Sequence, residues 1–189
     1  MIVAFDASVL VYLLDENAAS PRGESGEPVE DCHTRVSHLI AELQRAKAKI
    51  IVPAPALAEV LVYGGSAAPD WLSILNTSRH IRVSPFDERA AVEYSVMERA
   101  RLSAPRAHTP RAKAKFDQQI VAIARIEGAE RIYSDDGDIR RLWDNEGQVV
   151  GIAGLPLPPQ EAQLSIEFDP HINDDDAPTE LSGQIDDAS

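Results

Sequence analysis

Two rhythms of apolar and polar residues run along the chain. Short segments rich in β-branched residues occur at Ile2–Phe5, Ile50–Val52, Ile81–Val83, Arg131–Tyr133 and Val149–Ile152. Their length and composition predict strands, the first closed by Asp6 and the second by Pro53. Between them, apolar residues recur every three or four positions, the period of a helix with one buried face. Thr34–Lys47 shows this with Val36, Leu39, Ile40 and Leu43, and a helix from Asp87 to about Leu102 shows it with Ala90, Tyr94 and Met97. Ala54–Tyr63 is predicted helical, with Pro55 in its first turn and Gly64-Gly65 beyond its end. Trp71–Leu75 is a short helical segment, and Phe116–Glu127 is a helix stopped by Gly128. Strands alternating with helices predict an α/β fold around a parallel sheet. Residues 15–31 interrupt the pattern with six acids, two glycines and two prolines, and are predicted to be a mobile loop. No internal repeat is visible.

Composition narrows the class. The chain has 189 residues, enough for one domain with a full core plus an appendage. No apolar run approaches the ~20 residues of a membrane helix, and the N-terminus lacks the basic start of a secretory signal. One cysteine excludes a disulfide framework and agrees with a reducing cytoplasm. Cys32-His33 with His38 lacks a fourth ligand for zinc. Neither a GxGxxG nor a GxxxxGK[ST] pattern occurs.

The net charge of −13 is unevenly spread. From Leu155 to Ser189 there are nine acids and no Lys or Arg, behind a Leu155-Pro156-Leu157-Pro158-Pro159 junction. That composition predicts a globular domain over residues 1–154 and a disordered acidic tail over 155–189. The opposite bias marks Arg99, Arg101, Arg106, Arg111, Lys113 and Lys115, accompanied by His108 and no acid. Such a stretch is either a phosphate-binding surface or a solvated helix end and loop.

Several acids occupy positions that need explaining. Asp6 follows the first strand, and Asp135, Asp136 and Asp138 follow the fourth. In a parallel sheet both groups reach the rim where ligands bind, although caps and turns also use Asp there. Glu59 is the one charge in an otherwise apolar helix, which predicts a buried, paired or metal-bound carboxylate unless one edge of the helix is exposed. Asp117 shares a face with Ile120, Val121 and Ala124, unless it caps the helix start. Four segments thus bring Asp6, Glu59, Asp117, and Asp136 with Asp138 toward one cleft. Like charges so gathered favour a cation. An all-oxygen donor set selects Mg²⁺ or Mn²⁺, and the nearby basic stretch points to a phosphodiester substrate.

In these residues the chain resembles the PIN-domain nucleases, specifically the VapC-type toxin ribonucleases of toxin–antitoxin pairs. The resemblance covers about residues 1–154 and rests on four motifs: Ile2–Leu10, Pro55–Val60, Phe116–Ala124 and Ser134–Ile139. It implies a three-layer fold with a central parallel sheet and the activity of a divalent-metal-dependent endoribonuclease. Matched by position, Asp6, Glu59, Asp117 and Asp136 are the expected catalytic, metal-binding acids, with Asp138 as a further metal-site acid. Ser8 and Ser134 are the expected supporting hydroxyls, and Asp135 falls at the family's variable position. The resemblance further implies an RNA substrate, a cognate antitoxin protein and a homodimer. The long 15–31 loop, the Ala104–Lys115 segment and the acidic tail depart from the family pattern. The alternatives are a PIN-like module that binds RNA or protein without cutting, and a Mg-dependent phosphohydrolase. A haloacid-dehalogenase-like phosphatase would need an Asp where Ser8 stands.

Overall fold

Alternating side chains along each strand divide the core into two layers. The computed structural model describes residues 1–23, 26–103, 111–143 and 147–159, and of Arg111 and Ala112 only the backbone. Five strands, β1 (Ile2–Phe5), β2 (Lys49–Pro53), β3 (Ile81–Ser84), β4 (Arg131–Tyr133) and β5 (Gln148–Val150), pair in parallel in the order β3-β2-β1-β4-β5. Among the described residues, seven α-helices accompany them: α1 (Ala7–Leu14), α2 (Cys32–Arg45), α3 (Ala54–Gly64), α4 (Ala68–Thr77), α5 (Glu88–Ser103), α6 (Arg111–Ile126) and α7 (Gly137–Leu142). Val3, Phe5, Ile50, Val52 and Tyr133 point into one core, shared with α1, α2, α3 and α4. Ala4, Ile51 and Ile132 point into the other, formed with α5, α6 and α7. The result is the expected three-layer sandwich with a central parallel sheet.

Three elements differ from the sequence pattern. Ala7–Leu14, expected only as a continuation of the first motif, is a helix; its Ala-Ser-Val-Leu-Val-Tyr-Leu-Leu sequence is apolar on nearly every side and shows no period. Helix α6 starts five residues before Phe116, because Arg111 to Lys115 are good helix formers without an apolar stripe. Helix α7 has six residues, too few for a periodic signal.

Met1–Pro158 forms one compact unit. Leu155 is buried in its core, and the Arg35 guanidinium donates to the Leu155 carbonyl. The predicted tail from residue 160 onward lies outside the described residues, as do Arg106 and His108. No helix among the described residues is long and apolar enough to cross a membrane.

Candidate metal centre

Sheet order places the site. The chain leaves β1 toward β2 on one side, then returns across β1 to reach β4 on the other. This reversal opens a crevice at the carboxyl ends of β1 and β4, where open α/β sheets bind ligands. Phe5 pairs with Tyr133 in register, so Asp6 and Ser134 emerge side by side. The Asp6 N–H donates to the Tyr133 carbonyl at 3.1 Å, fixing the strand end.

Asp6 is 5% exposed, and its Oδ2 accepts hydroxyl hydrogen bonds from Ser8 and Ser134, both at 2.8 Å. The two hydroxyls also accept from the turn after β4: Ser8 from the Asp135 N–H at 3.1 Å across the crevice, Ser134 from the Asp136 N–H at 3.0 Å within its own turn. These bonds tie the start of α1 to the turn after β4 and orient Asp6. Asp135 itself turns away from the acidic centre, accepting from the Ile152 N–H at 2.8 Å. Burial pushes its carboxyl up, that hydrogen bond pulls it down, and the charge of Asp6 adds to the rise.

Asp136 caps α7, its Oδ1 accepting from the Asp138 N–H at 2.7 Å. The residue that caps α7 is therefore also a member of the acidic cluster, so a capping role does not remove Asp136 from it. Asp138 pairs through Oδ1 with Arg141 one turn on. Across from them, Asp117 is 5% exposed and lies in the second turn of α6, well past any capping position. Burial raises its carboxyl above the usual range, and the charge of Asp136 adds to this, against the pull of Lys113. Carboxylate oxygens of Asp117, Asp136 and Asp138 all lie within 4.8 Å of one another.

Glu59 corrects one expectation. It is exposed rather than buried, because α3 leaves Val62 and Tyr63 largely in solvent and is not enclosed on all sides. Its carboxyl is nonetheless pushed up, by crowding from surrounding protein and then by the charges of Asp6, Asp117 and Asp136. Since the side chain keeps contact with solvent, the repulsion is the informative part: Glu59 overlooks the same acids. Neither Glu59 nor Asp6 belongs to the tight group, which holds Asp117, Asp136 and Asp138.

The basic stretch divides. Arg101 makes a two-pronged pair with Glu98 on its own helix, at 2.6 and 2.7 Å. Arg99 donates to the Ser95 carbonyl at 3.3 Å, and Lys115 is exposed. Lys113 instead points into the acids: its Nζ lies 2.7 Å from Asp136, 3.0 Å from Asp138 and 3.4 Å from Asp117. Desolvation opposes its charge, but hydrogen bonding to Asp136 and attraction to Asp117 outweigh it, holding the ammonium above 10.5. This placement has one trace in the sequence, the four-residue spacing to Asp117 that makes helical ion pairs. The donor set is all oxygen, as hard divalent cations require, and its carboxylates already gather around a positive group. The residues present fit a metal ion.

No family model and no curated protein matches the sequence itself. Solved structures do match its fold. VapBC2 from Rickettsia felis, in a structure bound to a DNA fragment from its promoter, superposes with a TM-score of 0.53 at 14% identity, over 80% of this chain and 98% of that one. VapC20 of Mycobacterium tuberculosis, a sarcin–ricin loop cleaving toxin, gives 0.51 at 16% identity, over 74% and 93%. VapBC-1 from nontypeable Haemophilus influenzae gives 0.50 at 12% identity, over 78% and 96%. The fold of this chain is that of the VapC-type PIN proteins.

Proposed function

We propose that this protein is a divalent-metal-dependent endoribonuclease acting as the toxin of a toxin–antitoxin pair. The observation that carries the reading is the convergence of Asp117, Asp136 and Asp138 at the β1–β4 crevice, with Asp6 held beside them by Ser8 and Ser134. The likeness of fold to VapC20, which cleaves the sarcin–ricin loop, supports RNA as the substrate. The likeness to VapBC structures supports an antitoxin partner.

In this reading Asp117, Asp136 and Asp138 hold the ion, and Asp6 and Glu59 complete the negative field around it. A divalent ion there supplies Lewis-acid activation of water and of the scissile phosphate. The chain's own contribution is position. Ser8 and Ser134 fix the carboxylate of Asp6, the cap on α7 fixes Asp136, and Arg99, Arg101 and Lys115 offer charge to flanking phosphates. Arg101 is the weakest of these, because Glu98 already engages it.

The test uses the purified full chain on single-stranded RNA with Mg²⁺ or Mn²⁺. Cleavage should stop in EDTA and fall at least about a hundredfold in Asp117→Asn, the usual scale for losing a charge-stabilising group. RNA binding without cleavage in either metal would favour the non-cutting module. Full activity of Asp117→Asn would discard the site.

A further inference from the structure

Lys113 belongs to the basic stretch by sequence, yet its ammonium occupies the place a metal would take. The atoms involved make the conflict specific. Asp136 commits Oδ1 to the Asp138 N–H, and Asp138 commits Oδ1 to Arg141. The oxygens facing the centre are the Oδ2 atoms, and Lys113 engages that atom on all three aspartates. An ion the size of Mg²⁺ approaches its oxygens to about 2.1 Å. Bound to these same Oδ2 atoms, it would occupy space and charge already taken by Nζ. Two cations cannot share one set of acceptors at that distance without strong repulsion.

We propose that Lys113 is a tethered counter-ion of the Asp117–Asp136–Asp138 site, which a divalent ion must displace in order to bind. The inference rests on the metal-site reading above and adds the group that competes for the site. It explains how the metal-free chain tolerates three carboxylates within 4.8 Å: the ammonium neutralises part of their charge. Release is sterically open to Lys113, because its side chain is 47% exposed and carries a flexible four-carbon stem from the first turn of α6. Displacement turns the ammonium out toward solvent at the mouth of the same crevice. There it becomes a free positive charge beside an approaching phosphodiester. Metal loading and exposure of a phosphate-binding group are thereby one event.

The probe is Mn²⁺ alone, titrated by calorimetry into the full chain at pH 7 and low salt. If Lys113 fills the site nine-tenths of the time, its removal raises apparent affinity about tenfold. Lys113→Met should therefore bind Mn²⁺ about tenfold or more tightly than the parent. Lys115→Met deletes the same charge two residues along the helix, where the side chain is exposed, and should stay within about twofold. Equal affinities for the parent and Lys113→Met, or equal gains in both variants, overturn the proposal while leaving a metal site intact. No Mn²⁺ binding by any of the three overturns the proposal together with the metal-site reading. A second measurement needs no variant to fold. The chain has four lysines, Lys47, Lys49, Lys113 and Lys115. Nitrogen-detected NMR of the parent should show one slowly exchanging, hydrogen-bonded ammonium without metal, and that signal should vanish as Mg²⁺ saturates the site. Its persistence at saturation refutes displacement.

Discussion

Replacing Asp117 by Asn removes a buried charge, keeps the shape of the side chain, and should stabilise the metal-free protein. At a separation of no more than 4.8 Å, Asp136 and Asp138 each repel Asp117. At an effective dielectric of about 20 this costs about 3.5 kcal/mol per pair, or about 7 in all. The Lys113 ammonium, 3.4 Å away, returns about 5 kcal/mol on the same scale. The net relief on substitution is about 2 kcal/mol, shrinking to about 0.5 if the cleft screens as well as water does. Burial of Asp117 acts in the same direction. We therefore expect Asp117→Asn to be about 1–2 kcal/mol more stable in EDTA at pH 7, a rise of a few degrees in Tm for a domain of this size. The pH dependence has a definite sign. The folded Asp117 carboxyl is held above 3.8, so its ionisation destabilises the fold near neutrality, and that penalty disappears as pH falls through its raised value. The advantage of Asn should accordingly shrink between pH 7 and about pH 4. The exposed Glu59 is raised in part by the charge of Asp117, so it sheds a larger penalty in the parent than in Asp117→Asn over that window and adds to the narrowing. Glu127, whose carboxyl Ser84 and Arg82 hold down against burial, loses its contribution only below 4.5. Mg²⁺ should stabilise the parent by mass action and Asp117→Asn much less. Thermal and urea melts across pH, with EDTA or Mg²⁺, measure all of this. A variant less stable than the parent in EDTA at pH 7 would mean that the Lys113 attraction outweighs the repulsion, and the argument from crowded carboxylates would fail.

Two further substitutions probe the frame around the site. Ser134 is fully buried and joins Asp6 to the Asp136 N–H, so Ser134→Ala should cost about 2 kcal/mol in urea unfolding, the scale of a lost hydrogen bond to a charged group; a change under about 0.5 kcal/mol would show that the bridge carries no load. Gln118, next to Asp117, is fully buried and neither of its amide atoms has a hydrogen-bond partner among the described residues, so Gln118→Met should raise stability by about 1 kcal/mol by removing unsatisfied polar atoms at similar volume; destabilisation would reveal a partner for that amide in solution.

The sheet was legible because its information is local. Each strand is a short β-branched run, and the residue that follows it lies on the ligand-binding rim whatever the helices do. Asp6 and Asp136 could therefore be placed without knowing their neighbours, and the register of Phe5 with Tyr133 brings the two segments together. Asp117 was legible for a related reason, since helical period alone puts it on the buried stripe of α6. Where apolar residues surround a helix, period carries no information. This hid α1, and it misled for α3, whose apolar composition reflects the exposed Val62 and Tyr63 as much as core, so Glu59 was expected to be buried.

Lys113 and Lys115 show the sharper limit. By composition they are equivalent members of one basic stretch, two residues apart with Ala114 between them. On a helix, two residues correspond to a rotation of about 200°, so the pair must face nearly opposite directions. Only the position of α6 against the turn after β4 decides which face meets Asp136 and Asp138, residues more than twenty positions away in the chain. That contact depends on the crossover from β3 to β4, a property of topology rather than of local pattern. A charge count along the sequence assigns both lysines to the outside of the molecule. The fold gives one of them to solvent and the other to the acids, and so places the cation that competes for the site on the same helix as Asp117.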